Sequence, residues 1–598
     1  MNRIKKIIST NIFFLIIITI AVFSLYGKSI NYELLSLDDG LSISSSINFI
    51  SDIKNIHKLF ITDCYYNLAN DYKGFYYRPI LTLSFAIESL LFGLNSKVYH
   101  ITNIILFILC IYLMYIFLLK LNLNKVVLKS VLLLLVVHPV FVSNIVYVST
   151  RAESFLAIFS ILSLININSY FTCNKIKNLF LSLFFFILAL FTKESAIVLI
   201  FIFPIFLYSL NKFNFRKILY LYILFLIVGI GYFILRSFAV SSIHFISILK
   251  SFKFILYKNI INGFIVYINK LLIPNNIPVC LYEYVPDILS VAKTIIFIIF
   301  LTIIYYKNFI NRKYILLGLS IFFLYLLPTC FILQNQIFFH RLLLPSLGII
   351  LILILFVQKI IELYPMTKKY LLFSFIILVL IFSFGSYIQA DKYKNDTIFV
   401  LNGYNDSPKY HVFVSGIGNL YKEKGNYNKA LDYFYLAEKF VPGKYVNNIA
   451  QILTFQEKFD EAEKFLKQNI EIENNYINKA ISYVILTSIY EQKQDYKTAL
   501  EYAKKAYQQN PYNIDFSVNL ARQYYLNNQY QQALNIYFEL LKFNKKESQY
   551  YYSIALLYDK LQDKEKAVEY INEAISLDKR NEKYDEFLKK LLNEKQKL

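Results

Sequence analysis

Cysteine is sparse in this 598-residue chain: five residues, at positions 64, 110, 173, 280 and 330, with no CxxC among them. That scatter points to neither a zinc site nor a disulfide framework. A glycine-rich phosphate loop, a G-x-S-x-G elbow and an HExxH pair are also missing. Soluble nucleotide binding and triad hydrolysis therefore lack their residues. Polar residues are too few for a disordered chain, because 57% of the sequence is hydrophobic. A soluble chain averages about 45–50%.

Acids are the other shortage. The first 389 residues hold 12 Asp and Glu against 32 Lys and Arg. Residues 390–598 hold 28 acids and 30 bases. Nearly all of the net charge of +22 therefore belongs to the hydrophobic half. A basic excess in a soluble chain suggests nucleic acid. Here it accompanies apolar runs near the ~20 residues that cross a bilayer, so a membrane is expected as the partner and nucleic acid is not.

Eleven apolar stretches read as spans, near 10–26, 99–119, 126–147, 153–170, 178–192, 195–210, 218–235, 290–306, 314–333, 342–358 and 370–388. The first resembles a signal peptide, since Arg3, Lys5 and Lys6 precede it, but Ser24-Leu25-Tyr26 is a poor cleavage site and an anchor is expected. Alternate short loops carry 17 bases, from Arg3 to Lys369, with Glu362 their one acid. Basic short loops stay cytoplasmic. The N-terminus is then cytoplasmic, and residues 27–98, the turns near 149–153 and 193–194, segment 236–289, loop 334–341 and everything after 390 are extracytoplasmic. Within segment 236–289, Lys253 to Lys270 reads as an interfacial amphipathic helix.

Beyond a linker at 390–404, residues 405–598 gain a period. Gly425-Asn426-Tyr427-Asn428-Lys429-Ala430-Leu431 recurs in related form at Ala462, Ala499, Ala533 and Ala567, spaced 32, 37, 34 and 34. Tyr421, Tyr490, Tyr524 and Tyr558 each sit nine residues before the alanine, and Gly418, Ala450, Ala521 and Ala555 twelve before it. A helix–turn–helix unit of about 34 residues resembles the tetratricopeptide repeat (TPR). About five units form a solenoid with a continuous core and a concave face. The repeat tyrosines are expected to pack rather than to contact a ligand.

Ionisable groups near a membrane are costly and invite a functional reading. Leu37-Asp38-Asp39-Gly40 follows the first span, and Tyr76-Tyr77-Arg78-Pro79 lies farther along the same loop. His138-Pro139 precedes Arg151-Ala152-Glu153, Lys193-Glu194 closes the fifth span, and His340-Arg341 closes loop 334–341. Under the expected topology the charged members face one compartment. A carboxylate there can deprotonate an acceptor hydroxyl, and cations can hold a lipid phosphate. Asp38 and Asp39 are also candidate oxygen ligands for a divalent metal. His138 reads better as a buried group fixing a kink.

The order and side of these motifs, with the repeat tail, resemble the transmembrane-and-TPR protein O-mannosyltransferases of the GT-C glycosyltransferase superfamily and the bacterial membrane proteins similar to them. The resemblance covers nearly the whole chain. It implies an all-α, GT-C-like membrane domain (1–389) and an extracytoplasmic TPR α-solenoid in a bacterial cytoplasmic membrane. It implies sugar transfer from a polyprenyl-phosphate donor to a protein or peptide hydroxyl. The base falls on Asp38 or Asp39, and donor-phosphate contacts on Arg78, Arg151, Lys193 and Arg341. Glu153, Glu194, His138 and His340 take supporting places. Two departures are visible. Ser143 stands where members often carry an acid, and His340-Arg341-Leu342-Leu343-Leu344-Pro345-Ser346 is one residue shorter than the usual motif. They support an alternative, a membrane-anchored TPR scaffold without activity. A surface-polysaccharide polymerase or ligase is a further alternative.

Overall fold

The computed structural model describes the chain except residues 1, 45–46, 65–75, 241–259, 308–309, 331–335, 474–475, 510, 512, 544–546, 579–580 and 596–598. Two units emerge, residues 1–68 with 73–408, and residues 409–598. Both are helical. The first also holds a two-stranded antiparallel ribbon, with Leu281 opposite Ile337 and Tyr282 opposite Gln336.

Every expected apolar stretch is mainly helical where it is described. Among the described residues, seven helices are long and apolar enough to cross a bilayer alone: Asn11–Asn31, Ser96–Leu119, Val148–Cys173, Phe215–Ala239, Ile288–Tyr306, Phe339–Leu363 and Pro365–Tyr393. Lys125–Val137 and Pro139–Val146 make an eighth if a 56° bend is allowed. The bend has a local cause. Pro139 lacks an N–H and pushes the residue before it out of the helical region, and His138 is extended at φ −78°, ψ 124°. Ile176–Thr192 and Glu194–Ser209 are shorter apolar helices, divided by the extended backbone of Lys193.

Close helix packing relies on small residues, which let two backbones approach. Helices Arg151–Cys173 and Ile176–Thr192 exchange hydroxyl hydrogen bonds, Ser163 to the Ser182 carbonyl at 2.9 Å and Ser182 to the Ser163 carbonyl at 2.8 Å. Arg312–Cys330 and Leu343–Leu363 meet backbone to backbone at two glycines. A Cβ on Gly348 would lie 2.0 Å from the Gly318 carbonyl oxygen. On Lys368–Ala390, Phe373, Leu380 and Phe384 are 65–70% exposed, a surface that suits hydrocarbon and not water.

The segment after the first span folds onto this bundle. Ile43, Ile50 and Leu59 pack with Leu81, Phe85, Tyr99 and Val148. Pro79 opens helix Pro79–Phe92 at its first position, where the missing N–H costs nothing, and Arg78 precedes it. The expected amphipathic helix lies partly outside the described residues. Its described part, Ile260–Leu272, is apolar, and Val266, Tyr267 and Ile268 are buried. That part is core rather than an interfacial strap. The linker expected at 390–404 carries structure. A turn at Asp391–Tyr393 leads into helix Asp396–Asp406, with Tyr393 and Phe399 buried against Tyr147 at 6.0 and 5.7 Å.

The second unit contains five helix pairs: 411–423 with 427–440, 446–455 with 459–472, 476–492 with 496–509, 514–526 with 530–543, and 548–560 with 564–577. Helix Glu582–Lys595 follows, and its Phe587 and Leu591 cover the last pair. The five key alanines are buried completely. A Cβ on Gly418 would stand 3.0 Å from the Phe434 ring, which explains the small residue twelve positions before Ala430.

Candidate functional site

Asp38 and Asp39 are adjacent, yet their surroundings differ. Asp39 is 1% exposed. One of its oxygens accepts from the Leu35 N–H at 3.1 Å. The other accepts from the Ser149 N–H at 2.8 Å and from the Ser149 hydroxyl. Burial pushes the Asp39 carboxyl up to about 7, against the pull of these donors. Asp39 is a clasp between the first loop and the turn before Arg151. With both oxygens committed, the pair does not fit the two-carboxylate cation site considered above. Among the described residues no three His, Cys, Asp or Glu side chains group as a metal site.

Asp38 is exposed at the residue level but sits in a crowded recess. Crowding raises its carboxyl, while a hydrogen bond with Tyr147, Arg78 and Arg341 pull it back. The backbone N–H of Asp38 also donates to the Tyr147 hydroxyl at 3.3 Å. Tyr147 itself is fixed by Tyr393 and Phe399 and by the Asn103 amide, which donates to its carbonyl at 3.1 Å. An acid beside a phenol and within electrostatic reach of two guanidiniums can accept a proton from a bound hydroxyl.

The cations divide into two groups. Arg78 and Arg341 are within electrostatic reach of Asp38, and Lys193 is within reach of both arginines. Arg78 pairs with Glu194 at 3.4 Å and lies over the Tyr76 ring at 4.4 Å. Arg341 donates to the Gln336 carbonyl at 3.4 Å and lies 5.2 Å from the Phe338 ring. Lys193 forms an ion pair with Glu153 and feels the charges of Arg78 and Arg341. His340 shares those neighbours and stacks on Phe338 at 5.3 Å. Short turns carry most of these side chains, at 193–194 between two helices and at 338–341 beside the β-ribbon, while Arg78 caps helix Pro79–Phe92 and Glu153 sits in the first turn of Arg151–Cys173.

Arg151 stands apart and is corrected from its expected place. Its guanidinium is completely buried and paired with Glu88 at 2.7 Å. It also donates to Asn103 at 2.7 Å, Ser84 at 3.2 Å and the Tyr99 carbonyl at 3.0 Å. With its side chain fully buried and four of its five N–H donors engaged inside the protein, it is not placed to meet a phosphate. His138 is likewise structural. Its Nδ1 accepts from Val140 N–H at 3.3 Å, so its Nε2 donates to the Leu271 carbonyl at 3.1 Å. Tyr147, Ser149 and Arg236, whose charge reaches Glu194, were not expected. Tyr147 and Ser149 lie between the His-Pro and Arg-x-Glu motifs, and that position is the one signal the sequence held for them.

In the second unit, residues 443–476 and 548–581 match one tetratricopeptide-repeat family model and residues 491–557 match another. The C-terminal region is a TPR array. Among solved structures, the chain is similar to a MamA protein at 19% identity, covering 30% of this chain and 96% of that one, with a TM-score of 0.25. It is similar to YrrB, a TPR protein with an unusual peptide-binding site, at 14% identity over 33% and 98%, with a TM-score of 0.25. Pseudomonas aeruginosa PilF gives 16% identity over 33% and 88%, with a TM-score of 0.28. A search of curated proteins found no match. Within the TPR array the repeat tyrosines are packing groups. Tyr421 stacks on Tyr433 at 5.6 Å, Tyr490 on Tyr502 at 5.5 Å and Tyr558 on Tyr570 at 5.5 Å.

Proposed function

We propose that the chain is a membrane glycosyltransferase whose TPR array recruits a protein or peptide acceptor. The observation that carries this reading is the place of Asp38, bonded to Tyr147 and within electrostatic reach of Arg78 and Arg341. In the proposed reaction the acceptor oxygen attacks the anomeric carbon of a polyprenyl-phosphate sugar. Its proton passes to Asp38, the carbon–oxygen bond to phosphate breaks, and polyprenyl phosphate leaves with the electron pair. Arg78, Arg341 and Lys193 offset the charge on that phosphate. The basic loops support a cytoplasmic N-terminus and an extracytoplasmic recess and array.

The test is transfer of labelled sugar from lipid donor in membranes carrying the full chain. Asp38→Asn removes the base and lowers transfer by about 10²–10⁴-fold, the usual scale for a general base. Asp39→Asn keeps a clasp of similar shape and lowers it far less. Equal transfer by wild type and Asp38→Asn sinks the mechanism. A second reading, a membrane-anchored TPR scaffold, is favoured by the family matches, which all fall within 443–581. It predicts no transfer by wild type with every lipid donor tried, together with partner capture by the full chain that is indifferent to Asp38→Asn.

A further inference from the structure

A cavity of about 610 Å³ opens between helices Lys125–Val137, Ile288–Tyr306, Leu343–Leu363 and Lys368–Ala390. Ile296, Phe300, Ile349, Leu353 and Phe382 give it hydrocarbon walls. Two titratable side chains line it, His138 and Lys293. Both ring nitrogens of His138 are engaged by backbone groups, which leaves Lys293 as the charge. Lys293 is half-buried in the second turn of its helix, within electrostatic reach of Lys270 and Asp287. The Asp287 side chain caps Ser290 at 2.8 Å, and no ion pair to Lys293 is present among the described residues.

The cavity has a depth as well as a chemistry. Along Leu343–Leu363 it runs from Ser346, near the end that bears Arg341, to Phe356. That is about 15 Å at a rise of about 1.5 Å per residue, half of a ~30 Å hydrocarbon core. We propose that this cavity holds an acyl chain of an anionic phospholipid from the leaflet bordering the Asp38 recess, with its phosphate at Lys293. A one-leaflet chain with one negative headgroup matches the apolar walls, the single cationic lining residue and the depth. The recess has its own cations, so a lipid seated here makes no demand on Arg78 or Arg341.

The experiment uses the full chain in nanodiscs of phosphatidylcholine with and without phosphatidylglycerol, followed by native mass spectrometry of the lipid retained in detergent. Wild type retains phosphatidylglycerol in preference to phosphatidylcholine. Lys293→Gln lowers phosphatidylglycerol retention several-fold and leaves phosphatidylcholine unchanged. Ile349→Trp, which fills the cavity, lowers retention of both. Should Ile349→Trp fail to fold, Lys293→Gln decides alone, because a neutral side chain of similar length leaves the helix intact. Equal phosphatidylglycerol retention by wild type and Lys293→Gln overturns the proposal. So does displacement of phosphatidylglycerol from wild type by an added polyprenyl phosphate, which would make the cavity the site of a donor chain.

Discussion

Asp38 and Asp39 show how far one residue of register separates a candidate base from a clasp. Asp39 is buried and saturated with donors, and its carboxyl stands near 7, above the ~3.9 of an unfolded aspartate. The folded state therefore holds a proton that the unfolded state has lost between these values. This contribution to stability is complete below about pH 4 and is lost as pH rises through about 7. Thermal unfolding of the full chain across that window will show wild type losing stability and Asp39→Asn changing less; parallel curves would refute the assignment. The cations separate in the same way. Arg151→Ala strands a buried Glu88, a loss of about 3–5 kcal/mol for a broken buried pair, read as a large drop in melting temperature. Arg341→Ala makes no such cut, so its melting temperature stays near wild type while transfer falls. A reversed pattern would return Arg151 to the recess. The sequence made these positions legible as candidates, because charge beside a membrane is rare. It did not show which were spent on each other. The partner of Arg151 lies 63 residues away at Glu88, and that of Asp39 lies 110 away at Ser149.

At the scale of elements, the repeats share a turn that the sequence period marks but does not chemically explain. Five residues before each key alanine the backbone enters the left-handed region: Gly425 at φ 71°, Glu457 at 61°, Gln494 at 60°, Asn528 at 61° and Gln562 at 64°. The following N–H then reaches back across the helix end, as from Asp495 to the Tyr490 carbonyl at 2.9 Å and from Asp563 to Tyr558 at 3.0 Å. Left-handed backbone costs an L-residue roughly 1–2 kcal/mol, and glycine is the usual occupant at such helix ends. Gln494→Gly and Gln562→Gly are therefore expected to raise the melting temperature of the array in the full chain. The gain is about 0.5–1 kcal/mol each, after the larger entropy of glycine in the unfolded chain. A lower melting temperature for both would show that the glutamine side chains hold the turns by contacts of their own. The fold was readable where a local rule decides it, as at His138-Pro139 or the alanine period. The break expected at 193–194 is present too. Span length was less readable, because where a helix starts and stops, as at Ile176–Thr192 and Glu194–Ser209, depends on packing that composition does not reveal.

For the whole molecule, the charge sorts by unit. The acid-poor half carries the excess, and residues 390–598 are nearly balanced at 30 bases to 28 acids. Under the proposed transferase reading, the TPR array recruits the acceptor and takes no part in the chemistry itself. Tethering turns a second encounter into an intramolecular one and raises avidity by about 10²–10⁴-fold. Holding substrate and transition state alike lowers KM without altering kcat. A chain ending at Pro408 is therefore predicted to keep its kcat while KM for a protein acceptor rises by about 10²-fold. For a short peptide too small to engage the array, both constants stay near those of the full chain. Steady-state transfer from labelled lipid donor to the two acceptors measures this directly. A fall in kcat with KM unchanged would place the array in the reaction. Identical constants for both chains would assign its groove to a partner other than the acceptor, and the scaffold reading would gain what the transferase reading lost.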